Sequence, residues 1–532
     1  MESLTKGLKL RKSGLKPIQI TPTNQDGGDM IASGEEQPLS PASRLYHEPT
    51  FNVYIIAIMG WKNPINPSVV YEKLPQTLLK HPRFSSLQVV DEKDGGKMKW
   101  VPTNVNLKNH IIIPHIPQTT LNSPDNFLQD YIYNLTKTSI DSSKPMWDLH
   151  LLNLRTSDAE SIGIFRIHHS LGDGTSLMSL LLACTRQTSD PDAVPTVPTK
   201  KEYSDRSGWF SSDRLIVGIG RWWQRWLMVA CMSLLLVWNT VVDVGYLMAT
   251  GLFLEDTETP IKAPAGVERN PKRFVYRTVS LDDMKLIKNA MNSTINDVAL
   301  GITQAGLSLY LNRRYGEEKN NKGGTEKNNN LPKTKIRLRS TLLVNIRPSS
   351  GIQALADMME KNTEAQWGNW VGHVILPFSI GIRDDPLDYV REAKATIRRK
   401  KHSLEAIVSF SLAGLVLKLF GVKAANTISH KAAARTTLGF SNLVGPVEEI
   451  SFFGHALEFL APCCYGHPHG LMINFQSYVN KMTIVLSVDE SSVPDPQKLL
   501  DDFEASLKLI KEAVYAKGLV KEEGKLQEAA FT

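Results

Sequence analysis

Cysteine is scarce. Only four occur in 532 residues, at positions 184, 231, 463 and 464, and no two are spaced as CxxC. That excludes a disulfide framework and a cysteine zinc site, and it fits a reducing compartment. A strong excess of one charge is also missing. Lysine and arginine number 61 against 54 acidic residues, a net charge of +7. This suits an anionic surface or a phosphate group but falls short of the basic stripe of a nucleic-acid binder, so no nucleic acid is expected. The first thirty residues lack the apolar core of a signal peptide, and no signal peptide is expected. No internal repeat is visible.

What is present is a folding composition, 42% hydrophobic and 22% charged, on a chain long enough for two domains. Residues 1–36 are polar and aperiodic and read as a disordered tail. Strands are expected at 51–59, 98–102, 146–152 and 162–168, with a helix at 69–81. Pro, Ser, Thr and Asp crowd 187–213, which reads as a linker. A second series opens near 260: a strand at 274–279, helices at 281–291 and from 294 to about 310, and a strand at 337–346. It continues with a strand at 374–377, a helix at 406–420 and strands near 450–460, 471–477 and 482–488. The Asn-, Lys- and Gly-rich stretch 317–335 reads as a disordered insertion, and a helix at 496–517 closes the series. The class is mixed α/β.

One segment has the residue types of a reaction centre. The apolar, β-branched run 162–167 leads into His168-His169-Ser170-Leu171-Gly172-Asp173-Gly174, after which Leu177, Leu180, Leu181 and Cys184 fall at helical spacing. Two histidines and an Asp-Gly pair therefore sit where a strand ends and a helix begins. An imidazole there is suited to take the proton of a hydroxyl as it attacks a carbonyl, and His169 is the candidate base. Asp173 is placed to fold back on the backbone or to meet an arginine, with Gly174 permitting a tight turn. His373, a lone histidine beside a strand, reads as a hydrogen-bonded core residue.

The most apolar stretch is 214–254. Arg214, Arg221 and Arg225 stand with Trp222, Trp223 and Trp226 at its start, the mixture a membrane interface selects. Its run 226–242 is shorter than the roughly 20 residues of a normal span. The expectation is a segment lying in the interface, or dipping in and returning with Asp243 near the turn. The basic run Arg398-Arg399-Lys400-Lys401 precedes another apolar helix. It reads either as a solvated face or as a site for phosphate groups.

HHxxxDG resembles the active-site motif of the CoA-dependent acyltransferase superfamily. Other segments occur in the order of one branch, the wax ester synthase/diacylglycerol acyltransferase family of plants and bacteria. These are Pro38-Leu39-Ser40-Pro41, Asn296-Asp297, Gly368-Asn369-Trp370-Val371-Gly372 and Ser441-Asn442-Leu443-Val444-Gly445-Pro446. The resemblance runs from about 38 to about 514. It implies two chloramphenicol-acetyltransferase-like domains, 37–186 with the histidine motif and 260–532, enclosing an interdomain tunnel, plus the membrane-associated helical segment 214–254. It implies transfer of a fatty acyl group from acyl-CoA to a long-chain alcohol or to diacylglycerol, with no metal and no cofactor beyond acyl-CoA as substrate. His169 is then the general base, His168 shapes the site, Asp173 orients it and Gly174 makes the turn. Asn296, Asp297, Gly368, Asn369, Ser441 and Asn442 are implied substrate-binding residues, although Asn296 and Asp297 also suit a helix cap. The implied location is the endoplasmic reticulum membrane facing the cytosol, with the plasma membrane as the alternative. Soluble plant acyltransferases of the superfamily carry a DFGWG segment, which is absent here. Peptide-synthetase condensation domains share the motif but sit beside carrier domains, for which this chain has no room. From another class, a non-catalytic lipid-binding or membrane scaffold protein with the same fold stays open.

Overall fold

The computed structural model describes residues 36–91, 97–117, 123–198, 220–321, 328–347 and 367–520. The tail up to residue 35, the linker residues 199–213, Arg214 and residues 322–327 of the expected insertion lie outside these. So do the side chains of Arg221, Trp222, Trp223 and Arg225.

Three largely apolar runs, Tyr54–Trp61, Trp147–Leu152 and Ser161–His168, become strands with almost every side chain buried, Asp148, His150 and Arg166 included. They form the middle of a seven-stranded sheet ordered Ile111–Ile112, Trp147–Leu152, Ser161–His168, Tyr54–Trp61, His455–Tyr465, Ile450–Phe452 and Arg186–Gln187. The sheet therefore does not follow the halves of the chain. The hairpin 450–465 leaves the C-terminal half and pairs with Tyr54–Trp61, Ile56 lying opposite Cys463. Without it, that apolar strand would be an open sheet edge, a template for aggregation. The seven-stranded sheet thus takes strands from both sides of the division expected at residue 260.

A six-stranded sheet is built wholly from the second half, in the order Val371–Phe378, Leu338–Asn345, Leu438–Leu443, Leu471–Tyr478, Lys481–Val488 and Arg273–Ser280. Helices Leu281–Ala290, Ile295–Asn321, Leu387–Lys401 and Pro496–Ala516 bury their apolar faces in its core. A second core belongs to the seven-stranded sheet. Three helices depart from expectation. That expected at 406–420 continues to Ala434 past a break at Gly421. The one expected at 69–81 ends at Lys73 and breaks into 3-10 turns, because Pro75 has no N–H to continue it. The helix expected to stop near 310 runs on to Asn321 and takes up the start of the insertion. Asn312 and Lys319 tie it to the backbone of 328–330: Lys319 Nζ donates to the Asn330 carbonyl at 2.8 Å, and Asn330 N–H donates to Asn312 Oδ1 at 2.6 Å.

Among the described residues, two helices are long and apolar enough to cross a membrane, Trp226–Leu252 and Glu405–Ala434. The first, whole extent Gly220–Leu252, runs unbroken through Asp243, so the turn expected there is absent. Asp243 is instead fully buried against Arg399 Nη2 at 2.5 Å and Lys400 Nζ at 3.0 Å. Asn239 Nδ2 donates to the His402 carbonyl at 3.1 Å, and Leu404 N–H donates to Thr240 Oγ1 at 3.0 Å. This polar seam clamps the helix to the body from residue 239 onward. Before it, every residue from 226 to 238 except Leu236 is exposed.

Candidate active site

The motif begins where strand Ser161–His168 ends beside Tyr54–Trp61. Tyr54 lies opposite His168, and the next amide, His169 N–H, donates to the Val53 carbonyl at 2.9 Å. Adjacent residues on a strand end point to opposite sides, so the two histidines take different places. The His168 ring is wholly buried. Its Nε2 lies 3.0 Å from the Tyr46 carbonyl and from Asn52 Oδ1, both acceptors, so Nε2 carries the proton. Nδ1 then accepts, from the Ser170 N–H at 3.4 Å, with the Ser170 hydroxyl 2.6 Å away and itself donating to Gln88 Oε1 at 2.8 Å. Both nitrogens are engaged. Burial, with His47 and His169 nearby, pushes the His168 pKa well below the usual histidine value.

His169 faces the cavity described below. Its ring lies against Tyr46, centroids 4.4 Å apart, and its Nδ1 is buried with no hydrogen-bond partner among the described residues. Burial lowers its pKa and the Asp173 charge works against that shift. The imidazole is therefore neutral at physiological pH, the form that accepts a proton.

Asp173 caps helix Gly174–Cys184. Ser176 N–H donates to Oδ1 at 2.9 Å. Its Oδ2 accepts from Trp370 N–H at 3.0 Å and from Arg347 Nη1 at 2.8 Å, an ion pair with both side chains buried. Arg347 also donates to Ser176 Oγ at 2.9 Å and to the Gly368 carbonyl at 2.6 Å. Asn369 Nδ2 donates to the His169 carbonyl at 3.0 Å and to Ser43 Oγ at 3.1 Å. The histidine turn is thus bolted to the segment 367–370 across the two sheets. Gly368, at φ +117°, takes a conformation that disfavours side chains, and a Cβ at Gly372 would lie 2.0 Å from the Ala406 carbonyl oxygen.

Gly174 serves by its size. A Cβ there would stand 2.9 Å from Leu443 Cδ2, so the turn's glycine admits the Ser441–Leu443 strand end, and no positive φ is involved. Ser441 and Asn442 line the cavity, whereas Asn296 and Asp297 do not. Asp297 and Thr294 form a reciprocal cap at the start of helix Ile295–Asn321, with Thr294 N–H donating to Asp297 Oδ2 at 2.7 Å and Asp297 N–H to Thr294 Oγ1 at 3.2 Å. Asn296 Oδ1 accepts from Asn442 Nδ2, one step removed from the cavity.

The cavity, of about 690 Å³, lies between the sheets, within the range of small-molecule sites. Its wall is mostly aliphatic, with Ile55, Met59, Leu177, Leu181, Leu343 and Val416 among its residues. Polar groups interrupt that wall at His169, Asp173, His373, His467, Ser441 and Asn474. His373 is therefore a wall residue as well as a core one, with its pKa lowered by burial. Arg347, Tyr46 and His467 were not singled out from sequence. The only trace of Arg347 is its place at the end of an apolar strand, before Pro348.

A histidine with an unpartnered ring nitrogen in the wall of a largely apolar cavity is suited to take a proton from a hydrophobic substrate. Comparison with known proteins narrows this. The family model for the wax ester synthase/diacylglycerol acyltransferase catalytic domain matches residues 48–299, and that for the WS/DGAT C-terminal domain matches 367–511. Wax ester synthase/diacylglycerol acyltransferase 6 of Arabidopsis thaliana is 51% identical over 493 residues, 90% of this chain and 94% of that one. Number 5 of the same series is 51% identical over 487 residues, with the same two coverages. Among solved structures, the wax ester synthase/diacylglycerol acyltransferase from Marinobacter aquaeolei VT8 shares the fold at TM-score 0.55 and 15% identity, covering 90% of this chain and all of that one. The first condensation domain of the calcium-dependent antibiotic synthetase does so at 0.51 and 11%, covering 91% of this chain and 97% of that one. The chain belongs to the wax ester synthase/diacylglycerol acyltransferase family, and it is an acyl-CoA-dependent O-acyltransferase.

Proposed function

We propose that the protein moves a fatty acyl group from acyl-CoA to a long-chain fatty alcohol, forming wax esters, and to diacylglycerol as a lesser acceptor. The observation that carries this is the placement of neutral His169 in the wall of a long aliphatic cavity. His169 takes the hydroxyl proton as the oxygen attacks the thioester carbonyl. The C–S bond breaks and the proton passes to the departing thiolate, a good leaving group because a thiol's pKa is only about 8.5. His168, with both nitrogens engaged, shapes the turn, and Asp173 orients it through Arg347 and the helix cap. Ser441 and Asn442 contact substrate from the opposite wall, while Gly368 and Asn369 act through the backbone of the turn. A linear alcohol suits a narrow cavity better than a branched glyceride. Incubating purified protein with labelled palmitoyl-CoA and equal hexadecanol and diacylglycerol is therefore expected to yield mainly wax ester. Exclusive triacylglycerol would reverse the preference, and no ester of either kind would leave the lipid-binding alternative standing.

The protein works on a membrane surface, the cytosolic face of the endoplasmic reticulum in this reading. The exposed residues 226–238 give it an apolar arm, Trp226 being 57% and Trp238 66% exposed. Strands on either side of helix Gly220–Leu252 share one sheet, Tyr54–Trp61 with His455–Tyr465. A single crossing by that helix would pull them to opposite faces of the bilayer. The charged segment containing Lys200, Lys201, Asp205, Arg206 and Asp213 would otherwise have to recross hydrocarbon, an unfavourable path. The arm therefore lies in the interface. Tags at residue 200 and at the C-terminus should both be digested by protease on sealed microsomes; protection of one alone would mean a true span.

A further inference from the structure

Helix Glu405–Ala434 is not one rod. At Gly421, φ +80° and ψ 176° break the helical run, so two arms meet at an elbow that a side chain at this position would strain. Leu415, Leu419 and Phe420 stand 51%, 63% and 70% exposed at the elbow. Lys418 and Lys423 are exposed beside them. Both arms also line the cavity, the first through Leu412, Ala413 and Val416, the second through Ala425 and Ile428.

The arch is hydrogen-bonded to the body on either side of the elbow. Glu405 Oε1 accepts from Ile375 N–H at 3.0 Å, and Ser409 Oγ accepts from His373 N–H at 2.9 Å. Beyond the elbow Asn426 Nδ2 donates to Thr50 Oγ1 at 2.8 Å. Between Ser409 and Asn426, no side chain of the arch hydrogen-bonds to the rest of the protein among the described residues. Beside it packs helix Gly220–Leu252, whose Leu247, Met248 and Leu252 join the same cavity wall.

We propose that this arch is a bilayer-facing port, with the elbow seated in an anionic leaflet and the arms parting about Gly421 to admit the long-chain acceptor. The occupant is lipid because the apolar elbow is bracketed by lysines and continues inward as the aliphatic wall of the reaction cavity. A lipid acceptor moving along that path never crosses water. The port rests on the acyltransferase reading above and adds the route by which its acceptor arrives.

The test uses full-length protein, parent and the double variant Leu419→Asp/Phe420→Asp, with palmitoyl-CoA and two acceptors. Hexadecanol is supplied in phosphatidylcholine vesicles containing phosphatidylserine, and octanol is supplied dissolved in buffer. The variant is expected to keep its octanol rate and to lose on the order of tenfold or more with vesicle hexadecanol, since two apolar anchors are removed. A milder Phe420→Ser variant should show the same selective loss, smaller in size. No selective loss overturns the port, and so does an equal loss on both acceptors with a lowered Tm, which would make the elbow a folding element. Selective loss accompanied by dissociation of a dimer would assign the elbow to a second copy and likewise overturn it. Octanol turnover by the parent is the separate check on the acyltransferase reading.

Discussion

His169→Ala is expected to fold normally and to lose roughly 10²–10⁴ in kcat, the usual contribution of a positioned general base. The fold should survive because the hydrogen bonds described for this residue are made by its backbone: its N–H donates to Val53 and its carbonyl accepts from Asn369. Alanine keeps both. His168→Ala should behave differently, since its ring ties the Tyr46 carbonyl to Ser170. Its activity loss should come with a lower Tm. The parent enzyme supplies a second readout. Burial holds the His169 pKa below the usual histidine value, so the base is neutral above about pH 6.5. kcat/KM should then be flat from neutral pH upward and fall only on the acid side, as the imidazole takes a proton. A folded His169→Ala enzyme with near-parental kcat, or a parent whose rate falls on going from pH 8 to pH 7, would remove His169 as the base.

The histidine turn was legible because its signals are local. Strand period, helical spacing and an Asp at the cap position all lie within a few residues of His169, and the structure has them as strand, cap and helix. The partner of Asp173 was only half legible. An arginine was foreseen in kind, but Arg347 lies just beyond strand Leu338–Asn345 of the other sheet, and no local pattern pairs two residues so far apart in sequence. The same limit explains the hairpin 450–465. Its apolar alternation announces strands, yet the choice between closing the six-stranded sheet and completing the seven-stranded one depends on which edge would be left open. At Asp243 the sequence pointed the wrong way. A lone carboxylate in an apolar run suggests a turn toward water, whereas Arg399 and Lys400 come to it inside the fold. The basic cluster 398–401, which admitted two readings from sequence, thus has half its charge spent on holding a helix.

The buried pair Asp173–Arg347 is where a substitution should damage the fold most. Asp173→Ala breaks the ion pair between two buried side chains, Asp173 and Arg347, a loss of about 3–5 kcal/mol by analogy with other broken buried pairs. Asp173→Asn should be little better, although it keeps the shape. Oδ1 accepts from Ser176 N–H, while Oδ2 accepts from Trp370 N–H and Arg347. Both positions face donors, and an amide has only one oxygen to offer. Whichever way it turns, its NH₂ meets a donor, and the carboxylate's charge opposite Arg347 is lost. In the double variant Asp173→Ala/Arg347→Met the ion pair is broken only once, so its loss should be smaller than the sum of the two single losses. The two substitutions should therefore be strongly non-additive in urea denaturation. Activity should track position: with the turn unfastened from Gly368 and Trp370, kcat falls in the double variant as well. Additive stability losses would deny the pairing. An Asp173→Ala enzyme as stable as the parent yet inactive would move Asp173 from orienting the turn into the chemistry itself.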